Sequence, residues 1–420
     1  MKSTSSAAGL LAALLALAAT PAGAAPGNGI RLGGSEGRLH PYLDVESRFD
    51  SNVYYAAPPP GGVVDVGYVG DLIVHIRPGF NLKVPGERVA VDLDANLDWA
   101  QYGGVQENAS TDLSKLYGAA SLGVTAYRRG TIGLELDDRF RRDPSTSTFV
   151  FSGAVISNKN DLSVRAPWRP GGGALVISPS FDWMLETFEP FNECAPGTPS
   201  PPASCDPDHL SNLGYNELRA GADARWRFLP RTSAVFAADW FSRVPNDTAL
   251  ATDVSGIEAR AGLSGLVTPH LGATVKLGYA NTLGSTAESY GTVLATLEGE
   301  WLASDSARIR VGWDHGFGME PDPTYYLYTT DRIVLGARYA LAGRYGARLD
   351  GYWERRGYAF VDGSPTADLL RIEPTIEAAL SRWINLTVGY AYTSRASSFS
   401  DEPGYDYTKN EAWLRLVFTY

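Results

Sequence analysis

The amino-acid sequence predicts an all-β fold, a transmembrane up-and-down antiparallel β-barrel of about 18 strands. Three observations support this prediction. Long segments alternate strictly between apolar and polar residues, the connections between them alternate between short and long, and the tryptophans fall at two levels. Together these features are typical of a sheet that faces lipid on one side and water on the other.

The alternation is clearest between Asp71 and Val84, which reads DLIVHIRPGFNLKV. One phase is apolar throughout, whereas the other carries polar residues such as His75 and Lys83. A period of two indicates a β-strand, and this one is longer than the usual length of about 5–6 residues. The same pattern recurs at 89–102, 215–228 and 369–380, and it can be followed from about residue 38 to the end.

The connections alternate in length along the chain. Short turns are predicted at 84–88, 127–131, 169–173, 228–232, 268–272, 303–307, 341–344 and 381–383. Long loops are predicted near 51–66, 103–112, 142–158, 189–213, 244–255, 284–291, 315–328, 361–366 and 396–409. Short turns on the periplasmic side and long loops on the extracellular side are the arrangement of an outer-membrane barrel, which predicts integral outer-membrane localisation.

The tryptophans separate into two groups. Trp168, Trp226, Trp301 and Trp383 lie at or beside short turns, whereas Trp99, Trp183, Trp240 and Trp353 lie roughly one membrane-spanning strand away on the apolar phase. Two aromatic belts mark the two membrane–water interfaces. The last strand, EAWLRLVFTY, ends in Tyr420 and resembles the C-terminal signal that barrel assembly machinery reads.

The N-terminus predicts export. Lys2 precedes an apolar run, and Ala22-Gly23-Ala24 provides a small-residue cleavage site, so residues 1–24 are interpreted as a signal peptide. Residues 25–37 then form a periplasmic N-terminal segment and residues 38–420 the barrel. In an exported chain, Cys194 and Cys205 predict a local disulfide within a Pro-rich loop; a metal site there is the weaker alternative, because only His209 lies near.

Composition and motifs argue against several other functions. The net charge of −11 disfavours a nucleic-acid partner. No nucleophile elbow, HExxH motif or P-loop is present in the sequence, so we predict neither an enzyme nor a bound cofactor or metal. Asp314-His315, placed just past the top of a strand, is the one candidate for catalysis, although an incidental Asp-His neighbour pair is far commoner.

The predicted lumen phase carries charges of opposite sign on different strands. The pore-lining candidates are acidic early in the chain and basic later, namely Asp92, Asp94, Asp98, Glu135, Asp137, Arg308, Arg310, Arg338 and Arg348. Walls of opposite charge would place a transverse field across a water-filled pore and steer polar solutes. The alternative is that the charges only keep the lumen polar and pair across strands.

Aromatic residues also fall in the predicted long loops, namely Tyr54, Tyr55, Phe149, Phe151, Phe191, Tyr325, Tyr326 and Tyr328. They could stack on sugar rings at the mouth of the pore or pack the loops over the barrel. Both interpretations remain open from the sequence.

Four prolines occupy the apolar phase of predicted strands: Pro41, Pro78, Pro179 and Pro374. Proline cannot donate a ladder hydrogen bond, and a closed barrel has no free edge to accommodate it. We therefore predict a bend or a missing inter-strand bond at each of these positions.

The run Phe49-Asp50-Ser51-Asn52-Val53-Tyr54, followed by an Ile-x-Pro strand, resembles the type 2 β-barrel porins. That family includes 18-stranded barrels of exopolysaccharide and capsule export systems. The resemblance implies a conduit for a polysaccharide that works with a separate periplasmic polysaccharide export protein. The alternative is a passive diffusion porin for small polar solutes, and a third possibility is a plugged structural or adhesive barrel.

Overall fold

A computed structural model of the chain describes residues 29–32, 36–55, 69–104, 114–145, 155–191, 207–247, 253–283, 289–320, 327–341, 343–359, 365–398 and 406–420. The predicted signal peptide, Cys194, Cys205 and the aromatics Phe149, Phe151, Tyr325 and Tyr326 lie outside these residues. Within them, no helix has the length and apolar character needed to cross a membrane.

The described chain is almost entirely β-structure. A two-residue strand, β1 (Ile30–Arg31), precedes the long strands. These are β2 (Arg38–Asp50), β3 (Asp71–Val84), β4 (Val89–Tyr102), β5 (Lys115–Ala126), β6 (Leu134–Ser145), β7 (Val155–Arg165), β8 (Leu175–Pro190), β9 (Tyr215–Leu229), β10 (Thr232–Pro245), β11 (Val254–Thr268), β12 (Leu271–Thr282), β13 (Gly291–Ser304), β14 (Ala307–Met319), β15 (Leu327–Leu341), β16 (Tyr345–Tyr358), β17 (Thr366–Ala379), β18 (Ile384–Ser397) and β19 (Tyr407–Thr419).

The strands β2–β19 form a closed ring of 18. Each pairs antiparallel with its neighbours in sequence, and β19 pairs with β2 between Thr419↔Tyr42 and Glu411↔Asp50. Closure gives every one of these strands a hydrogen-bonded neighbour on both sides, as a lipid environment requires. The all-β barrel of 18 antiparallel strands predicted from the sequence is confirmed.

Short and long connections lie at opposite ends of the ring. β3 ends at Val84 and β4 begins at Val89, whereas β4 and β5 are separated by residues 103–114. Two short helices complete the described chain: one 3-10 turn at Pro170–Gly172 and α1 (Pro207–Asn212), which packs against β8.

The outer face of the barrel is apolar. Large side chains on the outward phase stay exposed around the ring, including Leu97, Leu263, Leu277, Val293 and Ile376. Trp99 and Trp240 of the predicted upper belt and Trp226 and Trp301 of the lower belt are exposed as well. A soluble protein rarely exposes a continuous apolar surface of this extent, whereas a barrel in lipid must.

The four prolines interrupt the ladder on one side only. Between β3 and β4, pairing skips from Ile76↔Trp99 to Gly79↔Asn96 and so omits Pro78. Between β17 and β18 it skips from Ile372↔Tyr392 to Thr375↔Gly389 and omits Pro374. The register is unchanged across both gaps, so these prolines remove ladder bonds without adding a bulge.

At the other two prolines one hydrogen bond of an inter-strand pair is present and its reciprocal is missing. The Pro179 carbonyl accepts from the Ala166 N–H at 3.0 Å and the Pro41 carbonyl from the Tyr420 N–H at 3.1 Å, but neither proline has an N–H to donate in return. The pairing with the strand on the opposite side is regular at both positions: Pro41 pairs with Phe80 of β3 and Pro179 with Ala222 of β9. The predicted loss of an inter-strand bond is therefore found at all four positions.

Candidate functional site in the barrel lumen

The strand register sorts the side chains between lipid and lumen. In β4, Leu93, Leu97 and Trp99 pair laterally with outward residues, so the alternate positions Asp92, Asp94 and Asp98 point inward. The same parity places Glu135 and Asp137 of β6 inside. Arg308, Arg310, Arg338 and Arg348 share the inward phase of β14–β16.

Eight of these nine residues lie in the half of the lumen nearest the short turns. The exception is Asp98, which lies toward the long loops. The acidic strands β4–β6 and the arginine strands β14–β16 are ten steps apart around a ring of 18, so the two groups occupy nearly opposite walls. Their role in permeation stays a prediction.

Water reaches the charged groups in this half. The side chains of Asp92 and Asp137 are 56% and 54% exposed, and those of Arg308 and Arg348 are 49% and 43% exposed. Charged groups keep this much hydration only where the space in front of them holds water. The short-turn half of the barrel is therefore a wet vestibule.

The arginine wall is less basic than the sequence suggested. Arg308 Nε lies 3.0 Å from Glu300, Arg310 lies 3.8 Å from Glu298, and Arg348 contacts Asp350. These acids lie on the inward phase of β13 and β16, so the period-two pattern indicates that they face the lumen but not which arginine each one approaches. The transverse field is consequently weaker than the arginines alone would give.

The long-loop half of the lumen is lined by buried ion pairs. Asp98 accepts hydrogen bonds from Arg77 Nε at 2.8 Å and contacts His75 Nδ1 at 2.9 Å, and Arg77 also reaches Glu46 at 3.0 Å. Asp44, 1% exposed, contacts Arg77 and Arg415. These acids match the alternative interpretation that charges pair across strands, since little of them reaches water.

Further ion pairs follow the wall toward the long loops. Arg243 donates to Glu217 at 2.7 Å and to the Met319 carbonyl at 2.8 Å, and its guanidinium stacks over Tyr215. Arg356 contacts Glu320 at 2.5 Å and Glu354 at 2.6 Å. Bidentate and stacked arginines hold a fixed geometry, so this half of the wall is rigid.

Apolar clusters fill the lumen beside the long loops. Val53, Tyr54, Tyr55 and Phe191 pack onto inward residues such as Tyr102 and Tyr117. On the other side of the ring, Phe241, Leu294, Phe317 and Leu327 form a second cluster. These side chains therefore occupy part of the lumen at its long-loop end.

Of the described aromatics predicted to lie in loops, Tyr54, Tyr55 and Phe191 follow strand ends, whereas Tyr328 lies inside β15. Their rings pack against the barrel. Phe191 is 1% exposed and meets Tyr54 edge-on at 6.3 Å, and Tyr328 is 3% exposed beside Tyr358. Desolvation raises the pKa of the Tyr54 hydroxyl, with Asp71 adding to the shift, and burial also raises the pKa of Tyr55. The hydroxyl groups of both tyrosines therefore stay protonated at neutral pH, which suits side chains packed in a largely apolar cluster.

The catalytic candidate Asp314-His315 does not form a dyad. Both residues lie inside β14, not beyond it, and neighbours in a strand point to opposite faces. His315 contacts Asp331 at 2.9 Å on the outer face, whereas Asp314 points inward and accepts from Thr296. Among the described residues, no cluster of His, Cys, Asp or Glu could hold a metal ion.

A closed sheet with an aromatic-banded apolar exterior and a wet, charged interior defines an integral outer-membrane β-barrel. The amino-acid sequence matches no protein-family model and shows no significant similarity to curated proteins.

Structural similarities extend to solved barrels at low identity. The outer membrane protein OpdK of Pseudomonas aeruginosa is 13% identical, with a TM-score of 0.46 over 91% of this chain and 99% of OpdK. OpdQ of the same organism is 8% identical, with a TM-score of 0.46 over 92% and 98% of the two chains. The outer membrane channel DcaP of Acinetobacter baumannii is 12% identical, with a TM-score of 0.38 over 93% and 99%.

Proposed function

We propose that this barrel is a non-enzymatic outer-membrane channel for small polar solutes. The observation that carries the proposal is the wet vestibule, where charged side chains of both signs remain about half exposed inside a closed ring. Such a wall hydrates a polar solute while the low-dielectric barrel strengthens its field. The packed long-loop end then limits solute size.

Planar-bilayer recording of the purified barrel tests this function. A diffusion channel gives steady, ohmic single-channel steps in potassium chloride, and its conductance rises when the residues 51–55, which pack into the mouth, are shortened. The matched control shortens the short turn 84–88, which is remote from that mouth. A barrel that stays closed in both the native and the loop-shortened forms would contradict the proposal.

Polysaccharide export is the second candidate. One part of the vestibule wall on β2–β4 brings together Tyr42, Asn81, Asp92 and Asp94, with Tyr42 donating to Asp94 at 3.3 Å and Asn81 to Asp92 at 3.0 Å. Amide, phenol and carboxylate groups together can exchange hydrogen bonds with a hydroxyl-rich chain. In this version a separate periplasmic polysaccharide export protein delivers the polymer.

Gene deletion distinguishes export from diffusion. An exporter mutant loses surface polysaccharide while precursor synthesis continues, and re-expression of the barrel restores the surface polymer. Unchanged surface polysaccharide would exclude export and would leave the diffusion channel, which the bilayer recording tests separately.

A further inference from the structure

Asp138 is a carboxylate that faces the membrane rather than the lumen. In β6, Leu134, Leu136, Asp138 and Phe140 share the outward phase. Asp138 pairs laterally with Leu122 of β5 and Leu162 of β7, both of which are outward as well. The adjacent Asp137 faces the lumen, and alternation then requires Asp138 to face lipid.

The position is unfavourable for a barrel surrounded only by lipid. Polar and ionisable side chains on the lipid face destabilise a barrel in a depth-dependent way, and hydrocarbon offers them no hydrogen bonds. Within the described chain, Asp138 accepts one hydrogen bond, from Asn160 Nδ2 at 3.1 Å. Asn160 pairs with Phe140 and is therefore itself outward, so a polar pair stands among leucine and phenylalanine.

The polar surface continues toward the extracellular interface. Arg142 donates to Glu189 through its two terminal guanidinium nitrogens, Nη1 and Nη2, at 2.6 and 2.8 Å. Asn158 joins them, accepting from Arg142 at 2.7 Å and donating to Glu189 at 2.8 Å. We call the surface formed by Asp138, Asn160, Arg142, Asn158 and Glu189 the polar strip.

Beside the polar strip the outward side chains are small, so the outer surface of the barrel is recessed there. The outward residues of β5 opposite Arg142 and Phe140 are Gly118 and Ala120. Small side chains let another backbone approach closely, and close packing together with polar contacts drives association in lipid, where the hydrophobic effect does not. The strip therefore combines both features that favour protein contact within a membrane.

We propose that the polar strip docks a second copy of this chain. Two copies inserted the same way into one membrane present Asp138 and Asn160 at the same depth. The Asn160 amide has two N–H donors and the Asp138 carboxylate two oxygens, so each pair can bridge to the pair of the other copy. Arg142 and Glu189 neutralise each other, so the upper strip adds no repulsion between copies.

Self-association of the full barrel tests the proposal. In lipid nanodiscs we expect the native chain to be oligomeric and Asp138→Leu/Asn160→Leu to lose the oligomer while keeping a folded, heat-modifiable barrel. The matched control is His315→Leu/Asp331→Leu, which removes another outward polar pair on β14 and β15. It should retain the native mass.

Crosslinking identifies the occupant in native membranes. A photoreactive benzoylphenylalanine in place of Phe140 should give a product at twice the mass of the chain, whereas the same group in place of Leu335, outward on β15, should not. A native chain that is monomeric in nanodiscs, or a product at Phe140 that contains only lipid or a different protein, would overturn the proposal.

Discussion

Lys409 is held inside the barrel by charge and by an aromatic face. Its ammonium lies 2.7 Å from Asp50, 3.6 Å from Glu411 and 3.7 Å from the centroid of Tyr55, and the side chain is 4% exposed. It joins β19, β2 and the residues that follow β2. The buried cation neutralises Asp50, and it adds to the pairing of Glu411 with Arg48 and Arg371.

Lys409→Met should therefore destabilise the barrel strongly. Loss of the ammonium leaves Asp50 as an uncompensated buried charge, whereas Glu411 keeps Arg48 at 3.2 Å and Arg371 at 3.3 Å. Breaking a buried pair in this way costs about 3–5 kcal/mol. Urea unfolding in lipid vesicles, followed by tryptophan fluorescence, measures the loss. Lys409→Met/Asp50→Asn should recover part of it, and a single variant that unfolds at the native urea concentration would refute the electrostatic account.

Single residues also show where sequence interpretation failed. Asp314-His315 looked like a candidate dyad only because the strand was predicted to end before it; β14 in fact extends to Met319. Once the strand is extended, alternation separates the two side chains. The strand end could not be located from the sequence because Gly316 and Gly318 interrupt the pattern of bulky residues.

Adjacent strands fit together through glycine as well as through hydrogen bonds. Trp413 of β19 points inward and lies against Gly389 of β18, where an added Cβ would come within 2.2 Å of the indole. The guanidinium of Arg48 lies over the same indole, 5.5 Å from the ring centroid. The absence of a side chain at Gly389 thus fixes the position of a luminal tryptophan.

Gly389→Ala should disturb this contact between β18 and β19. The methyl group overpacks the indole, and overpacking of this kind costs about 1–3 kcal/mol. Gly299→Ala on β13 is the matched control, because a Cβ there meets nothing within 4 Å. Chemical unfolding compares the two variants, and equal stabilities would show that Trp413 moves aside freely.

Strands were the most predictable elements and their charged partners the least. Period-two alternation located the membrane strands and the interruptions at Pro78 and Pro374, because both depend on local covalent geometry. It did not reveal which acids approach Arg308 and Arg310, since lateral pairing depends on the register between strands. Register follows from turn geometry and from closure of the whole sheet.

The acidic wall on β4–β6 and the arginine wall on β14–β16 face each other because of the closure of the whole ring. Because β4–β6 and β14–β16 lie across the lumen from each other, an ion experiences both walls at once. We expect Asp92→Asn/Asp137→Asn to shift selectivity toward anions and Arg308→Gln/Arg348→Gln to shift it toward cations. Each variant removes two exposed charges of one sign.

Reversal potentials in a salt gradient measure this selectivity. The shifts should have opposite signs and shrink as the salt rises from about 0.1 M to about 1 M, because the screening length falls from about 10 Å to about 3 Å. Shifts of the same sign in both variants would mean that the walls do not set the field.

The β2–β19 pairing has a kinetic consequence. It joins residues about as far apart in sequence as the fold contains, such as Asp44↔Val417, and contacts of that separation form slowly. Until these contacts form, β2 and β19 each expose an edge of unpaired backbone N–H and C=O groups, which can pair with a strand of another chain. Closure of this pair therefore decides between insertion and aggregation, and a chaperone that shields these two edges would raise the yield of the folded protein.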